Sequence, residues 1–227
     1  MKYFTAAIAT VAVSLALVGC GSNNKSETKT STSTSTSTST STVTSSATST
    51  APASGAKYTI ADYIKDNKIT ETPVHHGDPG SPTINLPVPD GWQVLKESSS
   101  APYGGIVFAP PADPSDPPTI VALVAKLTGN VDQAKLIEFA PGELQNLPGY
   151  QGSGNGNSSS LGGFAAWQLG GTYEKNGKRR AIAQKTVIIP SGDAVFVLQL
   201  NADSLESEQG PLMDATNVID EQTTISL

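Results

Sequence analysis

Hydrophobic and polar positions divide the chain into three parts of different character. The first is an apolar run from Phe4 to Val18, and the second is a polar tract from Thr28 to Thr50. The third, from Lys57 to Leu227, mixes apolar and polar positions at regular spacings. Only this third part has enough recurring apolar residues for a hydrophobic core. The pattern therefore predicts one folded domain behind a leader and a tether.

The apolar run at the N-terminus predicts a signal peptide with a lipidation site. Lys2 precedes the run, which is shorter than the roughly 20 residues of a membrane-spanning helix. It ends in Leu17-Val18-Gly19-Cys20, the pattern of a bacterial lipobox. Because Cys20 is the only cysteine in the sequence, we predict a signal peptide over residues 1–19 and a lipid anchor on Cys20. The alternative is an ordinary secretion signal followed by a chance cysteine.

The polar tract behind the anchor predicts a disordered tether over residues 20–56. From Thr28 to Thr50, 20 of 23 residues are Ser or Thr, and none is aromatic. Such a segment cannot bury enough apolar surface to offset the entropy of ordering. We expect it to separate the anchor from the domain at 57–227, either as a plain spacer or as an O-glycosylated, stiffer stalk.

Spacing patterns within the domain predict an α+β fold. Thr59 and Asp62 have the spacing of a capping box before a short helix. Apolar residues at helical spacing predict further helices in the middle and at the end of the domain, with a break at Pro141. Alternating segments predict strands, and Asn176-Gly177 predicts a type I′ hairpin turn between two of them. This order of elements is typical of an α+β sandwich.

Composition and charge exclude several classes of function. The chain has 14 Lys and Arg against 20 Asp and Glu, a formal charge of −6, and most of its basic residues are scattered. Nucleic-acid binding is not expected, because it needs a clustered basic surface to neutralise phosphates. One cysteine and two histidines also make a disulfide framework or a cysteine- or histidine-rich metal site unexpected.

The residues that could support catalysis carry weak signals. His75-His76 would chelate a metal poorly, because adjacent residues in a strand point to opposite faces. A structural role or a pH-responsive contact, with Asp78 as partner in a loop, is favoured for the pair. The glycine-rich segment 152–163 lacks the lysine and helix of a phosphate loop, and no G-x-S-x-G elbow marks a nucleophile. We therefore expect no enzyme, no cofactor and no metal.

Besides the pair His75-His76, two groups of residues are candidates for binding a ligand or partner. The first is the basic cluster around the hairpin turn, formed by Lys175, Lys178, Arg179 and Arg180. It fits a solvated tip, where replacing the cations would change stability little, or a contact with an anionic headgroup or acidic partner. The second is the pair Trp92 and Trp167, which by residue type favour the core, although either could line a groove.

Several segments of the chain form a distinctive set. They are the lipobox, the Ser/Thr tract, YTIADY (58–63), PVHHGDPG (73–80), APGEL (140–144), GFAAWQLGG (163–171) and QLNAD (199–203). Together they resemble the mycobacterial LpqN lipoprotein family. The resemblance covers essentially the whole mature chain. It implies a PsbP-like α/β/α sandwich with a central antiparallel sheet, and no catalytic motif that can be carried over residue by residue.

Two classes of function remain open from the sequence. One is a lipid-anchored interaction module on the extracytoplasmic face of the cell membrane, with release or surface exposure as further options. Its partner would be an envelope protein or, in a pathogen, a host protein, with a role in virulence. The other is a carrier or chaperone of a small molecule or glycolipid in envelope biogenesis, with an apolar pocket between sheet and helix and segment 152–163 at its rim. A deep apolar cavity would favour the carrier, and a filled core with an exposed apolar patch would favour the interaction module.

Replacement of the lipobox cysteine tests the anchor. Cys20→Ser lacks the thiol that accepts the diacylglyceryl group, so the variant should leave the detergent phase in phase partitioning or persist as an uncleaved precursor. Partitioning equal to that of the wild type would contradict the predicted lipidation site.

Overall fold

The computed structural model describes residues 55–227. The signal peptide 1–19, the lipidation site Cys20 and the tether up to residue 54 lie outside the described residues, and what the sequence predicts for them stays a prediction. Among residues 55–227, no helix has the length and apolar character needed to cross a membrane.

The described part of the chain contains both helices and strands, which confirms the predicted α+β class. The helices are α1 (Ile60–Asp66), α2 (Gln133–Phe139), α3 (Gly142–Gln145) and α4 (Gln209–Gln222), with a 3₁₀ helix (Glu206–Glu208) before α4. The strands are β1 (Thr70–Pro73), β2 (Thr83–Asn85), β3 (Trp92–Leu95), β4 (Gly105–Phe108), β5 (Thr119–Thr128), β6 (Gln151–Gly152), β7 (Asn157–Leu161), β8 (Phe164–Lys175), β9 (Lys178–Ser191), β10 (Ala194–Leu205) and β11 (Thr224–Ser226).

One large sheet organises the domain. Its strands follow the order β3-β4-β5-β10-β9-β8, with β1 on β5 and with β6 and β7 on successive parts of β8. β2 and β11 form a separate two-stranded sheet. Every pairing among the described strands is antiparallel, as the resemblance implies.

Helices cover both faces of the large sheet, and each face has its own core. On β9, Val187 and Ile189 belong to the core that contains the buried residues of α4, whereas Ile188 belongs to the core beside α1 and α2. Successive residues of a strand point to opposite faces, so β9 supplies both cores at once. The predicted α/β/α sandwich is therefore confirmed.

Local sequence signals set several element ends as predicted. The Thr59 hydroxyl accepts from the Asp62 N–H at 3.1 Å, and the Asp62 carboxylate accepts from the Thr59 N–H at 3.0 Å, which completes the capping box of α1. Asn176 and Gly177 have φ angles of 54° and 71°, as a type I′ turn requires. The middle helical pattern divides at Pro141 into α2 and α3, because proline cannot donate a helical hydrogen bond.

Four strands have no counterpart in the sequence pattern: β1, β6, β7 and β11. The last two show the reason. β7 lies in segment 152–163, where the sequence predicts no strand, and its run of serines has no alternating apolar residues. Its pairing with β8 orders it. β11 is three residues long and is held by β2. In both cases the partner strand decides the conformation, and local propensity does not.

A partly buried carboxyl joins α3 to the sheet on the face that α1 and α2 cover. Glu143 Oε2 accepts hydrogen bonds from the Nε2 atoms of Gln184 and Gln199, each at 3.1 Å. Burial raises the pKa of Glu143, and the two amide donors offset this only in part. Burial and the neighbouring Glu143 also raise the pKa of Glu71. Glu143 is therefore protonated more readily in the folded than in the unfolded protein.

The raised pKa of Glu143 makes its contribution to stability dependent on pH. Folding opposes ionisation of this carboxyl, so its contribution falls as the pH rises through the unfolded-state value of about 4.3 and above. Glu143→Gln removes the ionisation. Denaturant titration gives the free energy of unfolding of the variant and of the wild type. The variant should therefore be more stable, relative to the wild type, at pH 7 than at pH 4.

The exposed Glu221 provides the matched control for this comparison. Glu221→Gln removes one carboxylate without removing a buried one, so its difference from the wild type should change less between the two pH values. If the stability difference between Glu143→Gln and the wild type changed no more with pH than that of the control, the raised pKa of Glu143 would be contradicted.

Candidate functional site

A cavity of about 480 Å³ lies between the large sheet and α4. Small residues on three neighbouring strands form its floor: Gly170 on β8, Ala183 on β9 and Ala202 on β10. Ala183 is the register partner of both other residues, so the three lie side by side across the sheet. Their side chains are too small to fill the space below α4, and the core is open here.

The buried part of the cavity lining is apolar. Ile120 and Leu200 belong to the sheet, and Leu212 and Ile219 belong to α4; each is at most 5% exposed. Met213 also lines the cavity but is 52% exposed. The lining therefore changes from fully buried aliphatic groups to a flexible thioether side chain in contact with solvent.

Polar side chains line the more exposed part of the cavity. They carry amide or hydroxyl groups and come from α4, β8 and the region around the start of β7: Ser153, Asn157, Gln168, Thr216 and Asn217. Amide and hydroxyl groups both donate and accept hydrogen bonds, so this rim can bind uncharged polar groups.

One ion pair connects the sheet to α4 at the cavity. Lys185 Nζ on β9 lies 2.6 Å from Asp220 Oδ1 on α4 and donates to Ser159 Oγ on β7 at 3.1 Å. The Lys185 side chain is 9% exposed, and the Asp220 side chain is 39% exposed. The two charges compensate each other, so the cavity presents little net charge.

Arg180 is buried, contrary to the prediction of a solvated hairpin tip. Its guanidinium lies 2.6 Å from Asp116 and 2.8 Å from Asp203, and the Tyr173 hydroxyl donates to Asp203 at 3.0 Å. The network ties the proline-rich loop that carries Asp116 to the sheet. Removal of Arg180 would leave Asp203 without its cation and Asp116 with Lys178, 3.8 Å away. We therefore expect the replacement of all four cations to lower stability rather than to change it little.

The other three cations of the basic cluster are exposed, and two of them have partners within the chain. Lys178 lies 3.1 Å from Asp113, and Arg179 lies 3.3 Å from Glu206. Lys175 is exposed beside the turn. The domain itself supplies acidic partners to this tip, so the arrangement does not favour it as a binding site for an external anion.

The two histidines flank a glutamate at the surface. His75 Nδ1 and His76 Nε2 lie 3.3 and 4.0 Å from Glu97 oxygens, and the His76 ring packs against Tyr103 with centroids 3.8 Å apart. Asp78, the expected partner of the side chains, instead accepts the backbone N–H of His75. Within residues 55–227, no group of three or more His, Cys, Asp or Glu is arranged to hold a metal ion.

Neither tryptophan lines the cavity. Trp92 is buried in the core beside α4 and packs against Phe108, with ring centroids 5.5 Å apart. Trp167 packs against the core on the opposite face of the sheet, and its Nε1 donates to the Asn155 carbonyl at 2.7 Å. Aliphatic and amide side chains, not aromatic ones, therefore form the candidate site.

The sequence contains a signal for part of this site. The predicted pocket between sheet and helix is present, and Ser153, Gly156 and Asn157 from segment 152–163 lie at it. The floor was missed, because alanine and glycine in a strand become a cavity floor only when the strand register aligns them. The signal that points to the floor is a small residue at every second position of a strand, as at Ala181 and Ala183 on β9.

Comparison with known proteins identifies the family. Residues 56–226 match the family model Lpp-LpqN, described as probable lipoprotein LpqN. Lipoprotein LpqN of Mycobacterium tuberculosis (strain ATCC 25618 / H37Rv) is 70% identical over 227 residues, which is all of both chains. The crystal structure of LpqN involved in cell envelope biogenesis of Mycobacterium tuberculosis is 72% identical, with a TM-score of 0.75, over 76% of this chain and 100% of that chain. The chain described here therefore belongs to the LpqN lipoprotein family.

Proposed function

We propose that this protein is an envelope-anchored carrier or chaperone that binds one aliphatic chain of an amphiphilic molecule in the cavity beneath α4. The cavity is the observation that carries the proposal. The 72% identical LpqN is described as involved in cell envelope biogenesis, which supports the same setting here. The predicted anchor on Cys20 and the tether over residues 20–56 would keep the carrier at the extracytoplasmic face of the membrane.

The volume of the cavity suits a single chain. A cavity of roughly 150 Å³ holds one benzene molecule, so three times that space has room for on the order of 15 to 18 carbon atoms. The observed volume of about 480 Å³ is in this range. Two long chains would need about twice the space. The ligand we propose therefore inserts one long aliphatic chain.

The chemistry of the lining supports an uncharged polar head on that chain. Leu200, Leu212 and Ile219 offer apolar contacts, and burial of a chain contributes about 25 cal/mol per Å² of apolar surface. The amides and hydroxyls of the rim can bind hydroxyl or ester oxygens. Lys185 and Asp220 already neutralise each other and give no preference for a charged head. A glycolipid is a ligand of this class.

A protein-interaction role, with an envelope or host partner, stays a prediction. Exposed large hydrophobic residues in the described part of the chain are Tyr58, Val88, Val94, Met213 and Leu227. Four of them lie on four different elements or loops outside α4, and Met213 belongs to the cavity. The cavity thus gives the carrier a specific observation that the interaction module lacks. The proposal includes no catalytic step.

A substitution that fills the floor should prevent chain binding. Ala183→Leu adds three carbon atoms between Gly170 and Ala202, in space that the chain would occupy. The affinity for a fluorescent probe with one hexadecyl chain and an uncharged sugar head should fall by about tenfold or more, or about 1.4 kcal/mol. Fluorescence titration measures this change, and thermal unfolding checks that the fold is retained.

Ala165→Leu is the matched control for the filled cavity. Ala165 is exposed on β8 on the face opposite the cavity, so the same atoms are added where no chain binds. Its probe affinity should equal that of the wild type. The proposed function would be wrong if the wild type did not bind the probe, or if both variants bound it as the wild type does.

A further inference from the structure

We propose that α4 is a movable wall of the cavity and that the Lys185–Asp220 ion pair is the latch that holds it closed. The inference rests on the proposed function, because a latch controls binding only if a chain enters this cavity. It concerns how the chain gains access, which neither the family assignment nor the volume of the cavity addresses.

The attachment of α4 to the sheet is narrow. Of its 14 residues, Leu212, Ala215 and Ile219 are buried. The first turn contains Gly210, and no side chain caps this end of the helix. Glycine is a weaker helix former than alanine, and a missing cap removes a further stabilising contact. The helix therefore depends on few contacts for its position.

Both ends of α4 are held outside the large sheet. Before the helix, Glu208 accepts the Ala112 N–H at 2.7 Å, which ties it to the proline-rich loop between β4 and β5. After the helix, β11 pairs with β2, and Ile225 lies against Gly162 in the turn between β7 and β8. Between these fixed ends, α4 spans the small residues of the cavity floor. Over the floor, the three buried side chains of α4 and the ion pair of Asp220 in its last turn hold the helix against the sheet.

Within residues 55–227, Lys185–Asp220 is the one ion pair between α4 and the large sheet. The Lys185 side chain is almost fully buried, so its ammonium needs a partner in the closed position. Asp220 is more exposed, so water and dissolved ions compete for its carboxylate. This pair thus stabilises the closed wall but separates more readily than a fully buried pair.

A second partner lowers the cost of opening. Lys185 Nζ also donates to Ser159 on β7, a contact that does not involve α4. When Asp220 moves away with the helix, the ammonium keeps this hydrogen bond and gains water in place of the carboxylate. The released helix moves from the floor and widens the cavity beside Met213, where the lining already reaches solvent. A chain can then enter.

Two substitutions remove the latch from its two sides. Asp220→Asn removes the charge from the exposed side and leaves the cavity floor unchanged. Lys185→Met removes the positive charge on the buried side and retains a long aliphatic side chain. Glu138→Gln is the matched control, because it breaks the exposed Lys135–Glu138 pair at 2.7 Å on α2, on the other face of the sheet.

Two measurements report on the latch. Stopped-flow fluorescence gives the association rate of the uncharged hexadecyl probe, and hydrogen exchange gives the opening of the α4 amides without any ligand. Asp220→Asn should raise the association rate several-fold and speed exchange in α4, and Lys185→Met should do the same. Added KCl should raise the wild-type rate and leave the Asp220→Asn rate unchanged, since the probe itself has no charge. The control should match the wild type in both measurements.

The outcomes separate the latch from the proposed function. If the wild type binds the probe but Asp220→Asn has the wild-type association rate and α4 exchange, the latch is wrong and the carrier stands. Equal acceleration by Glu138→Gln would also overturn the latch, because the effect would not be specific to this ion pair. If the wild type binds no probe, the proposed function fails and the latch, as a gate for ligand, fails with it.

Discussion

Three neighbouring strands present glycine or alanine at the same level of the sheet, and this register controls what the domain can bind. Gly170, Ala183 and Ala202 lie beside one another on the face that α4 covers. Larger side chains along α4, among them Leu212 and Ile219, keep the helix at a distance that these small residues cannot fill. Protein cores are otherwise packed to crystal-like density. The opening of about 480 Å³ therefore depends on small residues at these three positions.

The distribution of charge is consistent with a binding site that has no net charge of its own. Lys178 and Arg180 pair with Asp113 and Asp116 of the proline-rich loop, and Arg179 pairs with Glu206 at the 3₁₀ helix before α4. Lys185, the cation at the cavity, is likewise paired, with Asp220. Three of the four cations that the sequence offered to an anionic partner are thus paired within the chain, and the open site lies at another place in the fold.

Local and non-local interactions explain which features the sequence could predict. The capping box of Thr59 and Asp62, the Asn176-Gly177 turn and the break at Pro141 depend on neighbouring residues, and all three are present as predicted. β7 and the burial of Arg180 depend on residues far away in the chain, and a single sequence shows no pattern for either. The cavity could be predicted from the sequence only in part. Its rim in segment 152–163 was predicted from glycine content, but its floor needs the register of three strands, which no local pattern specifies.

The most direct test of the account is to map where an aliphatic chain binds. An amphiphile with one hexadecyl chain, an uncharged sugar head and a diazirine on the chain can be photocrosslinked to the protein, and the labelled residues can be found by peptide mass spectrometry. Binding in the cavity should place labels on residues beneath and along α4, such as Ala183, Leu212 and Met213, and the unlabelled amphiphile should compete with them. Labels on the opposite face around α1 and α2, or spread over the surface without competition, would contradict it.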